Sequence, residues 1–322
     1  MTWLFFFILH IFLIVTALTV AVVGFKYWQI SVVKITSEPQ TVVVGTQLSS
    51  SPAIPKIIWA YWHDKIPPDL VQRCQKNWQT FAPDHEIRLL HKDNIMEWIP
   101  ATHTMPDYIE ALPPFRQADW MRLQLLAIYG GFWIDATIIL TQPLNWLHEL
   151  QQKSRSAYLG FYIDLFTNRP TQPIVENWFM AAADSCVFIE DLLQEFKHSM
   201  QLGEVAYLNE IRASGRFEQV VQLLDPVSQE YLIMHVAAAK LLDANLNKYS
   251  LVLVRAEDSA FAFHHALHWS KRKLHIKLAL TPKPKVIPPL IKLRGNDRRR
   301  IEKYLAHGWY FSGSLLGKLL NL

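Results

Sequence analysis

The chain opens on one unbroken apolar run and then breaks into short blocks of alternating period. Trp3 to Phe25 contain no Asp, Glu, Lys or Arg. As a helix, those 23 residues would span about 34 Å, enough to cross a hydrocarbon core about 30 Å thick. A cleaved signal would need a basic leading segment and a small-residue cleavage site. Met1-Thr2 carries no charge and the apolar run is long, so residues 3–25 read as a retained anchor. Lys26 and Lys34 follow the run and no basic residue precedes it, which by the positive-inside rule places the rest of the chain in the cytoplasm. Residues 26–53, with Ser, Thr, Pro and Gly, read as a tether to a domain over 54–322.

Beyond the tether the pattern alternates between strand and helix. "IPKIIWAYW" (54–62) predicts a first buried strand, "PPDLVQRCQKNWQTFAPD" (67–84) a helix bounded by prolines, and "HEIRLLH" (85–91) a second strand. Strand, helix, strand implies a βαβ unit and hence a mainly parallel sheet in an α/β fold. "PPFRQADWMRLQLLAIYGG" (113–131) predicts the clearest helix, opened by prolines and closed by a Gly pair, with Phe115, Met121, Leu125, Leu126 and Ile128 on its apolar face. "FWIDATIIL" (132–140) follows as a strand, and "AYLGFYI" (157–163) as another. Helices are expected around 174–202, where "VENWFMAAA" (175–183) would be a core helix, and around 228–242. A strand over 250–256, a helix over 296–306 and an apolar tail over 309–320 complete the pattern.

Composition narrows the class. An apolar fraction of 51% with 19% charged residues is globular and excludes a disordered chain. Two cysteines, Cys74 and Cys186, imply no disulfide framework, and the absence of any Asn-x-Ser/Thr sequon also suits a cytosolic domain. The net charge is only +4, but twelve of the Lys and Arg residues lie between Lys271 and Lys303, with Asp297 and Glu302 the only acids there. That segment reads as a solvated basic face, suited to anionic lipid or to a phosphate-bearing acceptor. No motif accompanies it that would indicate nucleic acid.

The chemistry concentrates in residues 115–140. Arg116, Asp119 and Arg122 recur every third residue and share one flank of the helix, a spacing equally expected of an exposed ion-pair ladder. The helix then breaks at Gly130-Gly131 and enters a strand that holds a single acid, Asp135, in an apolar run. An acid there is costly to bury unless it is paired. Acids so placed face the carboxyl end of the strand, where ligands of open α/β sheets bind.

Here the chain resembles glycosyltransferases of the GT-A fold with a DXD sugar-binding region, specifically the capsular polysaccharide synthesis branch related to glycosyltransferase family 32. The resemblance rests on "IPKIIWAYW" and on the pattern R-x-x-D-x-x-R-x-x-x-L-x-x-x-G-G-x-x-x-D, and covers residues 54–145. It implies that Trp62 stacks on the nucleotide base and that Asp119 accepts from donor-sugar hydroxyls. It further implies that Arg122 contacts the sugar or diphosphate, and that Asp135 meets the ribose and a divalent metal, Mn²⁺ or Mg²⁺. The second Asp of the motif is Thr137 here, a weak neutral ligand. By the same resemblance a late histidine, His264 or His265 in "FAFHHALHW" (261–269), would meet the metal or diphosphate. Asp225 and Glu230 are candidate acceptor-site acids. The implied activity moves a hexosyl unit from a nucleotide-sugar, a UDP-sugar by preference, to a glycan or lipid-linked acceptor with retained configuration. Thr137 keeps open a degenerate, membrane-tethered glycan-binding or scaffold protein. The absence of a P-loop and of GxSxG argues against a nucleotide phosphotransferase or hydrolase.

Overall fold

The computed structural model describes residues 2–36 and 38–322. The apolar run forms α1 (Thr2–Ser31), one helix long and apolar enough to cross a membrane, with its large side chains facing outward. Its last turns dock on the domain instead of starting a free tether. Ile30 is buried, the Tyr27 hydroxyl donates to Leu280 O at 3.0 Å, and Lys277 Nζ donates to Ser31 O at 2.7 Å. That ammonium supplies one of the donors that helix-terminal carbonyls lack.

A second departure from a tether follows. The β-branched run of β1 (Thr41–Gly45) pairs antiparallel with β8 (Ser250–Arg255) and forms one edge of the central sheet. The expected tether over 26–53 is therefore partly sheet, because three consecutive valines pair more favourably with an open strand edge than with water.

The sheet has seven strands in the order β1-β8-β6-β7-β4-β2-β3. β2 (Ile57–Tyr61), β3 (Glu86–Leu90), β4 (Gly131–Ile134), β6 (Tyr158–Tyr162) and β8 run one way, while β7 (Val175–Ala182) and β1 run the other. This is the mixed, mainly parallel α/β architecture expected from the βαβ pattern. β2 and β3 are joined through α2 (Asp69–Phe81), which starts after Pro67-Pro68 and buries Trp78 against the sheet.

Period-two alternation in the strands gives the molecule two cores. Trp59 and Trp133 face one side, with α4 (Pro114–Tyr129), α6 (Val187–Leu202) and α10 (Ile233–Asn245); the short α3 (Asp107–Glu110) leads into α4. Ile58, Phe132 and Ile134 face the other, with α2 and α5 (Asn145–Ser154). The C-terminal segment closes that second side. It contributes β9 (Leu290–Lys292), paired antiparallel with β5 (Ile138–Leu140), and the helix Gly295–Ala306.

Two expectations fail here. The stretch 175–183 is a strand through Ala182, not a helix: it mixes helix-favouring Glu, Met and Ala with strand-favouring Val, Trp and Phe, and because it lies between β4 and β6, buried on both faces, tertiary pairing decides. The strand expected over 132–140 is two strands in two sheets, separated by a turn in which Ile138 N donates to Asp135 O at 3.0 Å.

Candidate functional site

The Gly pair sets the site. Gly130 ends α4 at φ 61° and Gly131 continues at φ 91°, so the chain reverses from helix into β4 within two residues. A Cβ on Gly131 would lie 2.7 Å from the Ile57 carbonyl, so β4 reaches its parallel partner β2 only because no side chain intervenes. β4 then delivers Asp135 just past its carboxyl end, with Asp135 N held by Trp178 O at 2.9 Å.

α4 packs between the sheet and two other helices, so its polar flank is buried along with its apolar one. Asp119 lies 3.3 Å from Arg122 and 3.4 Å from Arg116 and accepts from Asn177 Nδ2 at 3.1 Å. Arg116 also donates to the carbonyls of Tyr231 (2.9 Å) and Glu230 (2.6 Å), tying α4 to the helix Pro226–Tyr231. Arg122 donates to Asn177 O at 2.8 Å, lies 3.4 Å from Asp135 Oδ1 and sits over the Trp133 ring. Trp133 Nε1 donates to the same Asp135 oxygen at 3.1 Å. The other Asp135 oxygen accepts from Lys292 Nζ at 2.5 Å. Burial works against charge on Asp135, but the Lys292 and Arg122 cations outweigh it and hold the carboxyl below the usual range. At Asp119 burial dominates and pushes the carboxyl up, offset only in part by Arg122 and Arg116.

Asp119, Arg122, Trp133, Asp135 and Lys292 line a cleft of about 350 Å³ together with Trp62, Thr137, Asn177, Tyr231 and Arg298. A second lobe of about 580 Å³ shares Asp135, Asn177, Tyr231 and Lys292 and is walled by Trp178, Phe261 and Trp269. Five residues singled out from the sequence, Trp62, Asp119, Arg122, Asp135 and Thr137, thus meet in one cleft. Trp62 Nε1 has no partner among the described residues, and the Arg298 guanidinium lies 5.0 Å from its ring. The Thr137 hydroxyl donates to Leu293 O at 3.0 Å, which fixes its proton and leaves only its neutral lone pairs toward the cleft.

His264 does not join them. It is 1% exposed, bonded at 3.0 Å to Asp297, and burial lowers its pKa, so the structure spends it on anchoring the helix Gly295–Ala306. His265 lines neither lobe. Asp225 caps the helix Pro226–Tyr231, accepting from Val227 N and Ser228 N, and Glu230 contributes its backbone carbonyl. Among the described residues no group of three His, Cys, Asp or Glu side chains is placed to hold a metal ion. A divalent ion on Asp135 would have to displace the Lys292 ammonium from one oxygen and compete with Arg122 for the other. The residues present do not fit that ion.

Residues 34–200, just over half of the chain, match the family described as capsular polysaccharide synthesis protein. The chain belongs to that family. The matched region carries Trp62, Asp119, Arg122, Asp135, Thr137 and Asn177, while Lys292 and Arg298 come from beyond it. Among individual proteins, the chain is 30% identical over 164 residues to the O-glycosyltransferase braB of Annulohypoxylon truncatum, covering 44% of this chain and 37% of that protein. It is 29% identical over 132 residues to the initiation-specific alpha-1,6-mannosyltransferase of Saccharomyces cerevisiae, covering 38% and 26%. The chain spans about a third of the length of the curated relatives it matches. In space it is similar to PaToxG Glycosyltransferase at 14% identity and a TM-score of 0.35, over 70% of this chain and 88% of that one, a likeness too loose to carry weight.

Three residues of this capsular synthesis family member escaped the sequence. Asn177 sits on a strand that looked helical. Lys292 and Arg298 looked like part of a solvated basic face. The available signal was Lys292 itself, a single cation inside the apolar run "PPLIKL" (288–293), the mirror image of Asp135 in its own run.

Proposed function

We propose that this protein transfers a glycosyl unit from a nucleotide-sugar to a glycan or lipid-linked acceptor at a membrane surface. The observation that carries the reading is the convergence of Asp119, Arg122, Asp135 and Trp62 on one cleft at the carboxyl end of the sheet. Trp62 offers its ring to the base, Asp119 a carboxylate to sugar hydroxyls, and Arg122 a guanidinium to the diphosphate. The second, aromatic-walled lobe suits the acceptor. Membership of the family and the names of its relatives support the same direction. In the step itself the bond from sugar C1 to the β-phosphate oxygen breaks with its electron pair on that oxygen. The acceptor oxygen bonds C1, and its proton passes to the released diphosphate. No separate base is needed if configuration is retained. The α1 helix would hold the cleft at the bilayer with the domain in the cytoplasm.

Asp135→Asn tests this. It keeps the shape and removes the charge that organises Arg122 and Lys292. Release of nucleotide from UDP- and GDP-sugars by the full chain in detergent should fall by ~100-fold or more, the scale of losing one key electrostatic contact. Near-normal release by this variant would take Asp135 out of the site. No release by the unmodified chain from any donor would favour a glycan-binding or scaffold role.

A further inference from the structure

The donor cleft holds its own cations where a metal would be expected. Asp135 receives Lys292 on one oxygen and Arg122 on the other. Lys292 is placed there by structure, not by reach: β9 pairs with β5 so that Lys292 lies opposite Ile138, three residues after Asp135. Its side chain is largely enclosed, so its direction is fixed. The Thr137 hydroxyl donates to Leu293 O, the residue after Lys292. The segment 290–293 thus fixes the Thr137 proton on a carbonyl and presents an ammonium to Asp135.

Arg122 is shared between Asp135 at 3.4 Å and Asp119 at 3.3 Å, and Arg116 between Asp119 at 3.4 Å and Glu204 at 3.3 Å, so Lys292 is the cation given to Asp135 alone. Arg298 lines the same cleft, although Glu302 at 2.8 Å neutralises it in part.

We propose that Lys292, acting with Arg122, supplies the positive charge for the departing diphosphate, and that this glycosyl transfer runs without a divalent metal. The proposal rests on the transferase reading above. The bonds broken and formed are those given there, and Lys292 stabilises the electron pair received by the β-phosphate oxygen. A preorganised cation needs no rearrangement as that charge develops.

The test uses the full chain in detergent, with UDP and GDP as probes for binding and their sugars for turnover. In metal-stripped buffer with EDTA, titration calorimetry should give the same affinity for the bound nucleoside diphosphate as in Mn²⁺, within about twofold. Electron paramagnetic resonance should show no protein-bound Mn²⁺ in the presence of that nucleotide. Lys292→Met should weaken nucleotide binding at least tenfold and turnover ~100-fold, in line with loss of one such contact, and Lys292→Arg should restore most of both. Binding or turnover that EDTA abolishes and Mn²⁺ restores overturns the proposal and leaves the transferase reading standing. So does unchanged affinity in Lys292→Met. The chelation and resonance arms use the unmodified chain, so they decide even where the variant fails to fold. No binding of either nucleotide under any condition sinks the transferase reading and this proposal together.

Discussion

Replacing Asp119 with Ala removes the one carboxylate that separates two guanidiniums. Arg116, Asp119 and Arg122 are each less than a tenth exposed, with charged atoms 3.3–3.4 Å apart. Were the trio on the surface, as i, i+3 spacing alone allows, each pair would contribute ~0–1 kcal/mol and the substitution would be nearly silent. Buried as they are, the loss takes one acid from both guanidiniums, leaving Arg116 with Glu204 at 3.3 Å and Arg122 with Asp135 at 3.4 Å. It also leaves the Asn177 amide without its acceptor. Breaking a buried pair from one side costs about 3–5 kcal/mol. At ~2–4 °C per kcal/mol for a large domain, the melting temperature should fall by about 6–20 °C. Asp119→Asn, which keeps an acceptor oxygen but no charge, should fall less. Adding Arg116→Met to Asp119→Ala should recover at least ~1 kcal/mol, because the second change removes one of the two buried guanidiniums left short of an acid. The measurement is thermal unfolding of the full chain in detergent, followed by tryptophan fluorescence. A drop under about 2 °C for Asp119→Ala would refute this reasoning, since the cluster would then be behaving as exposed. The same burial rules out a charge-reversed pair as a clean probe of donor contacts, because Arg116 and Asn177 already fix the sign at each position.

Gly131→Ala should cost about 2–4 kcal/mol, since it forces an L residue to φ 91° and drives a methyl to 2.7 Å from the Ile57 carbonyl. A shift of less than ~1 kcal/mol in the denaturant midpoint free energy would show that β2 and β4 can separate freely. His275 supplies a pH test. It stacks on Tyr304 with centroids 3.8 Å apart, neither ring nitrogen has a partner among the described residues, and burial pulls its pKa down to about 4. The folded pKa lies below the unfolded value near 6.5, so the unfolded chain takes up the proton first as pH falls. His275 should therefore lower stability by about 1.4 kcal/mol per unit as pH falls from ~6.5 to ~4, beside the loss from His85, His148 and His264, whose pKa values burial also lowers. His275→Phe keeps the stack and should reduce the slope by about that amount; an unchanged slope would assign it to the other groups.

What the sequence by itself determined is local. The uncharged run from Trp3 to Phe25, the βαβ opening, the helix from Pro114 to Gly130 and the lone acid in its apolar strand all follow from periodicity, caps and the cost of buried charge, which act over a few residues. Those rules located Asp135, a charge whose burial has to be compensated, and the resemblance to the capsular synthesis family added Trp62, Asp119 and Arg122. Tertiary structure decided the rest. It made the 175–182 segment a strand, since helix-favouring Glu, Met and Ala there are offset by strand-favouring Val, Trp and Phe, and pairing on both edges decides between them. It buried the Arg116–Asp119–Arg122 flank, which the same spacing would tolerate in water. It committed His264 to Asp297 and sent Lys292 to Asp135, 157 residues away in the chain. A charged side chain declares its own desolvation cost in sequence but not the identity of its partner, and partners so distant are chosen only when the sheet and the C-terminal segment close on each other.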